Sequence, residues 1–179
     1  MPDEKGGVIT SPLWKIKNFN GEAWRVGDTY HTVIGQYGFQ VTPMEMARAV
    51  SAIANYGSLV TPHYILGDVT MENKISKINL KKEYFDVVHE GMRQSVLVGT
   101  SSAINVPYLQ IASKTGTAQL GANKNRVNSW IIGFFPYQNP KYAFTIMMES
   151  GPSSNSLGAS SIMRQLLDWM SVNAPEYFE

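Results

Sequence analysis

Ser113-Lys114-Thr115-Gly116-Thr117-Ala118-Gln119-Leu120-Gly121 sets a cation and two hydroxyls beside a glycine, with apolar residues on either side. On the edge of a sheet, Lys114 places a fixed cation. Thr115 and Thr117 then aim hydroxyls at opposite or adjacent walls, and Gly116 removes the side chain that would block a ligand. An extended peptide can add to such an edge by backbone pairing, its terminal carboxylate meeting the lysine and the hydroxyls. The N–H of Thr117 is then a candidate half of an oxyanion hole. The tripeptide K-T-G is weak by itself, and a plain turn reads the same residues equally simply.

Working outward, Tyr108–Ala118 reads as a strand, and 120–126 as a turn. Val127–Pro136 and Tyr142–Glu149 follow as two apolar strands joined by a hairpin-length Tyr-Gln-Asn-Pro. Ile162, Met163, Leu166, Leu167, Trp169 and Met170 place an amphipathic helix over Ser160–Val172, stopped before Pro175. Upstream, Lys82 opens a second helical pattern, with Tyr84, Val87, Val88, Met92 and Val96 on one face and Gly99 at its close. Thr100–Tyr108 reads as a loop. Asp68–Leu80 reads as a polar β-ribbon and Ser58–Ile65 as a short extended segment.

A further helix starts at Thr42 as N-cap, with Pro43 at the first position and Glu45 closing a capping box, and stops at Gly57. Its expected buried stripe is Met46, Ala49, Val50, Ile53 and Ala54. The first forty residues, rich in glycine and turn formers, read as ordered loops without periodicity. The order of elements predicts an α+β fold, an antiparallel sheet packed by helices, in one domain over residues 1–179.

The 179 residues are 44% hydrophobic and 16% charged, with a formal charge of +1. That balance excludes a disordered chain and gives no basis for a nucleic-acid partner. Absence of cysteine removes thiolate nucleophiles, disulfides and cysteine metal sites. His31, His63 and His89 have no ligand spacing between them, so no metal or cofactor is expected, and all three read as ordinary, partly exposed side chains. The longest apolar runs are strand-sized, far below the roughly 20 residues of a membrane span. No G-x-S-x-G elbow, P-loop, dinucleotide fingerprint or H-E-x-x-H occurs. S-x-x-K is absent, and the two S-x-N triplets, Ser153–Asn155 and Ser171–Asn173, fit chance among 16 serines and 12 asparagines.

K-T-G is the third of three motifs in penicillin-binding proteins and serine β-lactamases, after S-x-x-K and S-D-N. Here it sits within a longer order of blocks: Trp24–Ile65, "IASKTGTAQ", "NSWIIGFFPYQNPKYAFTIMMES" and the terminal "MRQLLDW". Together these resemble the C-terminal part of the transpeptidase domain of class B penicillin-binding proteins, within it the cell-elongation subgroup called penicillin-binding protein 2, over Gly6–Trp169. The resemblance implies that Lys114, Thr115 and Gly116 are the K-T-G strand. Lys114 would then set the electrostatics and the proton path of the site. Thr115 and Thr117 would bind the carboxylate of a substrate or β-lactam, and the Thr117 N–H would contribute to the oxyanion hole.

It further implies a D,D-transpeptidase acting on D-Ala-D-Ala stem peptides at the periplasmic face of the bacterial inner membrane. Its expected partners are a membrane glycosyltransferase and elongation scaffold proteins. A carboxypeptidase or β-lactamase relative, and a non-catalytic β-lactam sensor or docking module, are the alternatives. The departures are informative: the nucleophilic serine of S-x-x-K and the S-x-N serine are expected upstream of these residues, so the chain alone is expected to be inactive. It should expose a sheet edge and an apolar helix face, and associate with its missing half or with a copy of itself. A smaller departure is Gly35-Gln36-Tyr37-Gly38 where relatives read Gly-Gln-Gly, which puts the conformation of that loop in question.

Overall fold

The computed structural model describes residues 6–63, 75–121, 123–155 and 157–178. It divides into two compact units, Met1–Glu45 and Met46–Glu179.

In the first unit, two short helices replace the expected loops. Helix α1, Pro12–Asn18, begins at Ser11, whose Oγ accepts the Trp14 N–H at 3.1 Å, with Pro12 in the first turn. Helix α2, Val26–Val33, carries Asp28 in its first turn, where Oδ2 accepts the Arg25 N–H at 2.7 Å. Both helices are shorter than the span over which helical periodicity shows itself, so the sequence pattern missed them. Their tie is the buried Lys15, whose Nζ lies 2.6 Å from Asp28 Oδ2. Around that pair the rings of Trp14, Phe19 and Tyr37 meet at 5.5–5.7 Å between centroids. In the Gly35–Gly38 loop, Gly35, Tyr37 and Gly38 all take positive φ, and a Cβ on Gly38 would come within 2.6 Å of the Trp14 ring.

Helix α3, Pro43–Ala54, starts as its capping box requires: Thr42 Oγ1 accepts the Glu45 N–H at 3.1 Å, and Glu45 Oε2 accepts the Thr42 N–H at 2.8 Å. Gly57, at φ +92°, donates to Ala52 O and ends it. Val50 and Ala54 are buried as expected, but Ala49 is exposed and Ala52 is buried in its place.

A two-residue strand β1, Ser58–Leu59, pairs antiparallel with β2, Ser76–Lys77, which keeps part of the expected ribbon; residues 64–74 lie outside the described residues. Helix α4, Lys82–Leu97, buries Met92 and Val96 of its expected face but not the other three residues. Phe85, His89, Met92 and Val96 are buried, while Tyr84, Val87 and Val88 are exposed. His89 is thus a core residue, not a partly exposed one. Its ring lies 4.8 Å from both Tyr56 and Phe134, and its Nε2 sits 2.8 Å from Ile53 O.

The main sheet has the order β3-β4-β5, with β3 at Ala112–Leu120, β4 at Arg126–Phe135 and β5 at Tyr142–Pro152, all antiparallel. It starts four residues later than the expected first strand and ends three residues beyond the expected third. Helix α5, Ala159–Asn173, closes the chain. One face of the sheet presents Ile131 to Met163 and Leu167 of α5. The other presents Ala112 and Phe134 to Val50 and Ala54 of α3 and Met92 of α4. Helices on both faces of an antiparallel sheet make this an α+β fold, as predicted.

Gly133 shows how tightly the strands fit. A Cβ there would stand 2.4 Å from Ala112 O and 2.6 Å from the Phe144 ring, which lies across the glycine.

Candidate active site

Of the nine-residue stretch, residues 113–120 are strand, not turn: Lys114, Thr115, Gly116 and Thr117 oppose Ile132, Ile131, Trp130 and Ser129 of β4. Among the described residues β4 is the one strand partner of β3, so its other edge carries no ladder. Strand alternation puts Thr115 and Thr117 on one face, the α5 face of Ile131, and Lys114 and Gly116 on the other. Of the two arrangements expected, hydroxyls on opposite or on adjacent walls, this period of two removes the opposite one.

Lys114 is exposed, and its Nζ turns back to donate to Thr115 O at 2.7 Å. Among the described residues no carboxylate forms an ion pair with it, so its charge is held at the strand by a backbone carbonyl. Thr115 is half-buried, its Oγ1 2.7 Å from Thr100 Oγ1. Gly116 has no positive φ, and a Cβ there would meet only Trp130 Cβ, at 3.5 Å. The fold itself therefore tolerates a side chain at this position, in contrast to Gly133. Immediately before the motif, Ser113 is fully buried and its hydroxyl has no hydrogen-bond partner among the described residues.

Thr117 is exposed at the rim of a cavity of about 300 Å³, lined also by Val127, Ser129, Met148, Ser153 and Asn155. Ser129 Oγ accepts the Ala159 N–H at 3.0 Å, which pins the start of α5 beside this cavity. Ser153 and Asn155, one of the two S-x-N triplets, belong to the turn leading into α5, where Asn155 Oδ1 accepts the Leu157 N–H at 3.0 Å. The other triplet caps the end of α5, with Ser171 Oγ donating to Asp168 O and Asn173 Nδ2 to Trp169 O. Both therefore have local structural uses.

Thr100 is the neighbour that sequence reasoning missed. It lies in what reads as an unremarked loop after α4, and no periodicity or motif distinguishes it.

Residues 2–168 match the family described as the penicillin binding protein transpeptidase domain. The chain belongs to that family. It is 31% identical, over 94% of its own length, to the peptidoglycan D,D-transpeptidase MrdA of Acinetobacter baumannii, and covers 28% of that protein. Among solved structures it is similar to penicillin-binding protein 2 of Helicobacter pylori in complex with MreC. There the TM-score is 0.80 and the identity 30%, covering 97% of this chain and 32% of that one. Penicillin-binding protein A of M. tuberculosis, solved as an imipenem acyl-enzyme, matches at TM-score 0.63 and 28% identity over 77% of this chain and 32% of that one. The chain spans about three tenths of the length of the curated relatives it matches.

Proposed function

We propose that these 179 residues are the C-terminal portion of a D,D-transpeptidase domain that cross-links peptidoglycan in the cell-elongation machinery, on the periplasmic face of the bacterial inner membrane. The observation that carries the reading is the Lys114–Thr117 quartet on a strand edge that has no ladder among the described residues, at a glycine the fold does not require. Family membership and the MrdA relatives support it.

An extended D-Ala-D-Ala stem peptide pairs with the outer edge of β3 and passes close over Gly116. Lys114 supplies the positive field, and the hydroxyls of Thr115 and Thr117 take the terminal carboxylate. A serine hydroxyl supplied upstream of these residues loses its proton to the S-x-x-K lysine and attacks the penultimate D-alanine carbonyl. The Thr117 N–H receives the oxyanion, D-alanine departs with a proton, and an amine of a second stem peptide displaces the serine oxygen. A β-lactam enters the same path and stops at the acyl-enzyme, as the M. tuberculosis relative does with imipenem.

Ile162, Leu166 and Trp169 form an exposed apolar stripe on α5, which suits a helix completed by the upstream part of its own domain. The H. pylori relative's complex with MreC supports an elongation scaffold protein as a partner, and the pathway chemistry calls for a membrane glycosyltransferase to supply glycan strands.

Intact mass before and after incubation with benzylpenicillin tests the reading. We expect no adduct on these residues alone and one adduct on the full-length protein. An adduct on the 179-residue chain places the nucleophile inside it, and a full-length protein that stays unlabelled removes the acyl-transfer function altogether.

A further inference from the structure

We propose that Thr100 is a positioning residue for the Thr115 hydroxyl: it donates its hydrogen bond to Thr115 Oγ1 and so leaves the Thr115 proton directed at the carboxylate of the ligand. This rests on the acyl-transfer reading above and adds to it a residue that lies outside the three motifs.

The two oxygens are 2.7 Å apart, the usual length of an O–H···O bond. A hydroxyl has one proton and two lone pairs. If Thr115 donated to Thr100, its proton would be occupied and only lone pairs would face an arriving anion. With Thr100 as donor, Thr115 accepts one bond and keeps its own proton for the carboxylate, and the two bonds polarise each other in the same sense. An anion at the motif thus selects one polarity of the pair. Lys114 Nζ, held 2.7 Å from Thr115 O, adds positive charge at the same residue.

Thr100 is placed firmly enough for this work. Its turn follows α4, where Val98 N donates to Gln94 O and Ser101 N donates to Ser95 O at 3.0 Å. Ser101 is fully buried, with its Oγ 2.9 Å from Ser95 Oγ. A Cβ on Gly99 would stand 2.9 Å from Ser95 Cα, so the turn can close this tightly only with glycine there. Ile104, fully buried, anchors the far side of the turn. Helix α4 is itself tied to the start of the motif strand by Arg93 Nη1, which donates to Ile111 O at 2.9 Å. The pair therefore connects a helix terminus to the strand that would receive the ligand. It is itself exposed, which leaves it little weight in folding.

The test uses the full-length protein with Thr100→Val and Thr100→Ser, and compares acylation by benzylpenicillin with acylation by its methyl ester, which lacks the negative charge. We expect Thr100→Val to lower the benzylpenicillin rate about tenfold, the effect of one hydrogen bond to a charged group. The ester rate should change by less than about twofold on the same argument. Thr100→Ser should restore the preference for the charged ligand, with melting temperatures unchanged across the three proteins. Equal losses for both ligands, no loss at all, or failure of serine to restore the preference overturns the inference while the labelled wild type keeps the acyl-transfer reading. A wild type that takes no label from benzylpenicillin removes both.

Discussion

The two units hold themselves together by different physics. In Met46–Glu179 the core is aliphatic and aromatic: Ile131, Met163 and Leu167 on one face of the sheet, Val50, Met92 and Phe134 on the other, all buried. In Met1–Glu45 the centre is an ion pair, Lys15 with Asp28, ringed by Trp14, Phe19 and Tyr37. The first arrangement gains from apolar area removed from water, a contribution that carries no charge. The second depends on charge at two residues, because burying either one unpaired is unfavourable. A unit of 45 residues has little apolar area to bury, and a directional pair surrounded by rings gives it a defined arrangement that apolar contacts alone would leave loose.

The sharpest break of the second unit is Gly133→Ala. The added Cβ meets a backbone oxygen at 2.4 Å on one strand and the Phe144 ring at 2.6 Å on the other, so neither neighbour can yield alone. We expect a loss at or above the upper end of the about 1–3 kcal/mol typical of overpacking, read as a lowered denaturation midpoint. A variant as stable as the wild type would show that β3 and β5 are free to part around β4.

The first unit should break through pH instead. The Lys15 ammonium, then the Arg25 N–H and Tyr37, hold the Asp28 carboxyl below the ordinary carboxylate range, against the opposing effect of burial. Asp28 holds the Lys15 ammonium above its ordinary range. A carboxylate with a lowered folded-state pKa contributes stability that is present above its unfolded pKa and lost as pH falls through the folded value. A lysine with a raised one contributes stability that is present below its unfolded pKa and lost as pH rises through the folded value.

The first unit should therefore loosen in acid below the unperturbed 3.8 of aspartate and in alkali above the 10.5 of lysine. Trp14 and Trp24 report on this unit, and Trp130 and Trp169 on the other, so fluorescence of paired Trp→Phe variants separates them. In the double variant Lys15→Met/Asp28→Leu the Trp14 and Trp24 signal should lose the alkaline transition and the Asp28 part of the acid one, leaving only the contribution of Glu45, whose carboxyl the Thr42 and Gly7 N–H groups hold below its ordinary range. Retention of the whole acid transition in that variant would assign it to a carboxylate other than Asp28.

What could be read in the sequence divides between local and tertiary causes. The capping box of α3, the β4–β5 hairpin and the amphipathic α5 are local patterns with one physical solution each, and they form within a few residues of where they read. Helix α4 is apolar on more than one side. Periodicity alone therefore chose Tyr84, Val87 and Val88, while packing against the sheet took Phe85 and His89. The short helices α1 and α2 are stabilised by a pair 13 residues apart, a tertiary cause that no window captures. In the site, the motif residues and their strand were legible, and the shared face of Thr115 and Thr117 follows from strand alternation once the strand is granted. Thr100 was not legible, because its role exists only in the meeting of a helix terminus with β3.

The smallest expected effect on stability carries the largest functional content. Gly116→Ala places a Cβ 3.5 Å from Trp130 Cβ, an ordinary contact, at a backbone conformation open to any residue. Since glycine in a strand interior is less favourable than alanine by roughly 0.5–1 kcal/mol, the variant should fold as well as the wild type or slightly better. If Gly116 is there to let a peptide backbone approach, the same methyl group should slow acylation of the full-length protein by benzylpenicillin at unchanged or raised melting temperature. Gly133 and Gly116 belong to one sheet, 17 positions apart on adjacent strands, and the pair separates what the fold requires of a glycine from what a ligand requires. Unchanged acylation in Gly116→Ala would move the approach of the ligand away from this residue and leave the motif with only Lys114, Thr115 and Thr117 as its working parts.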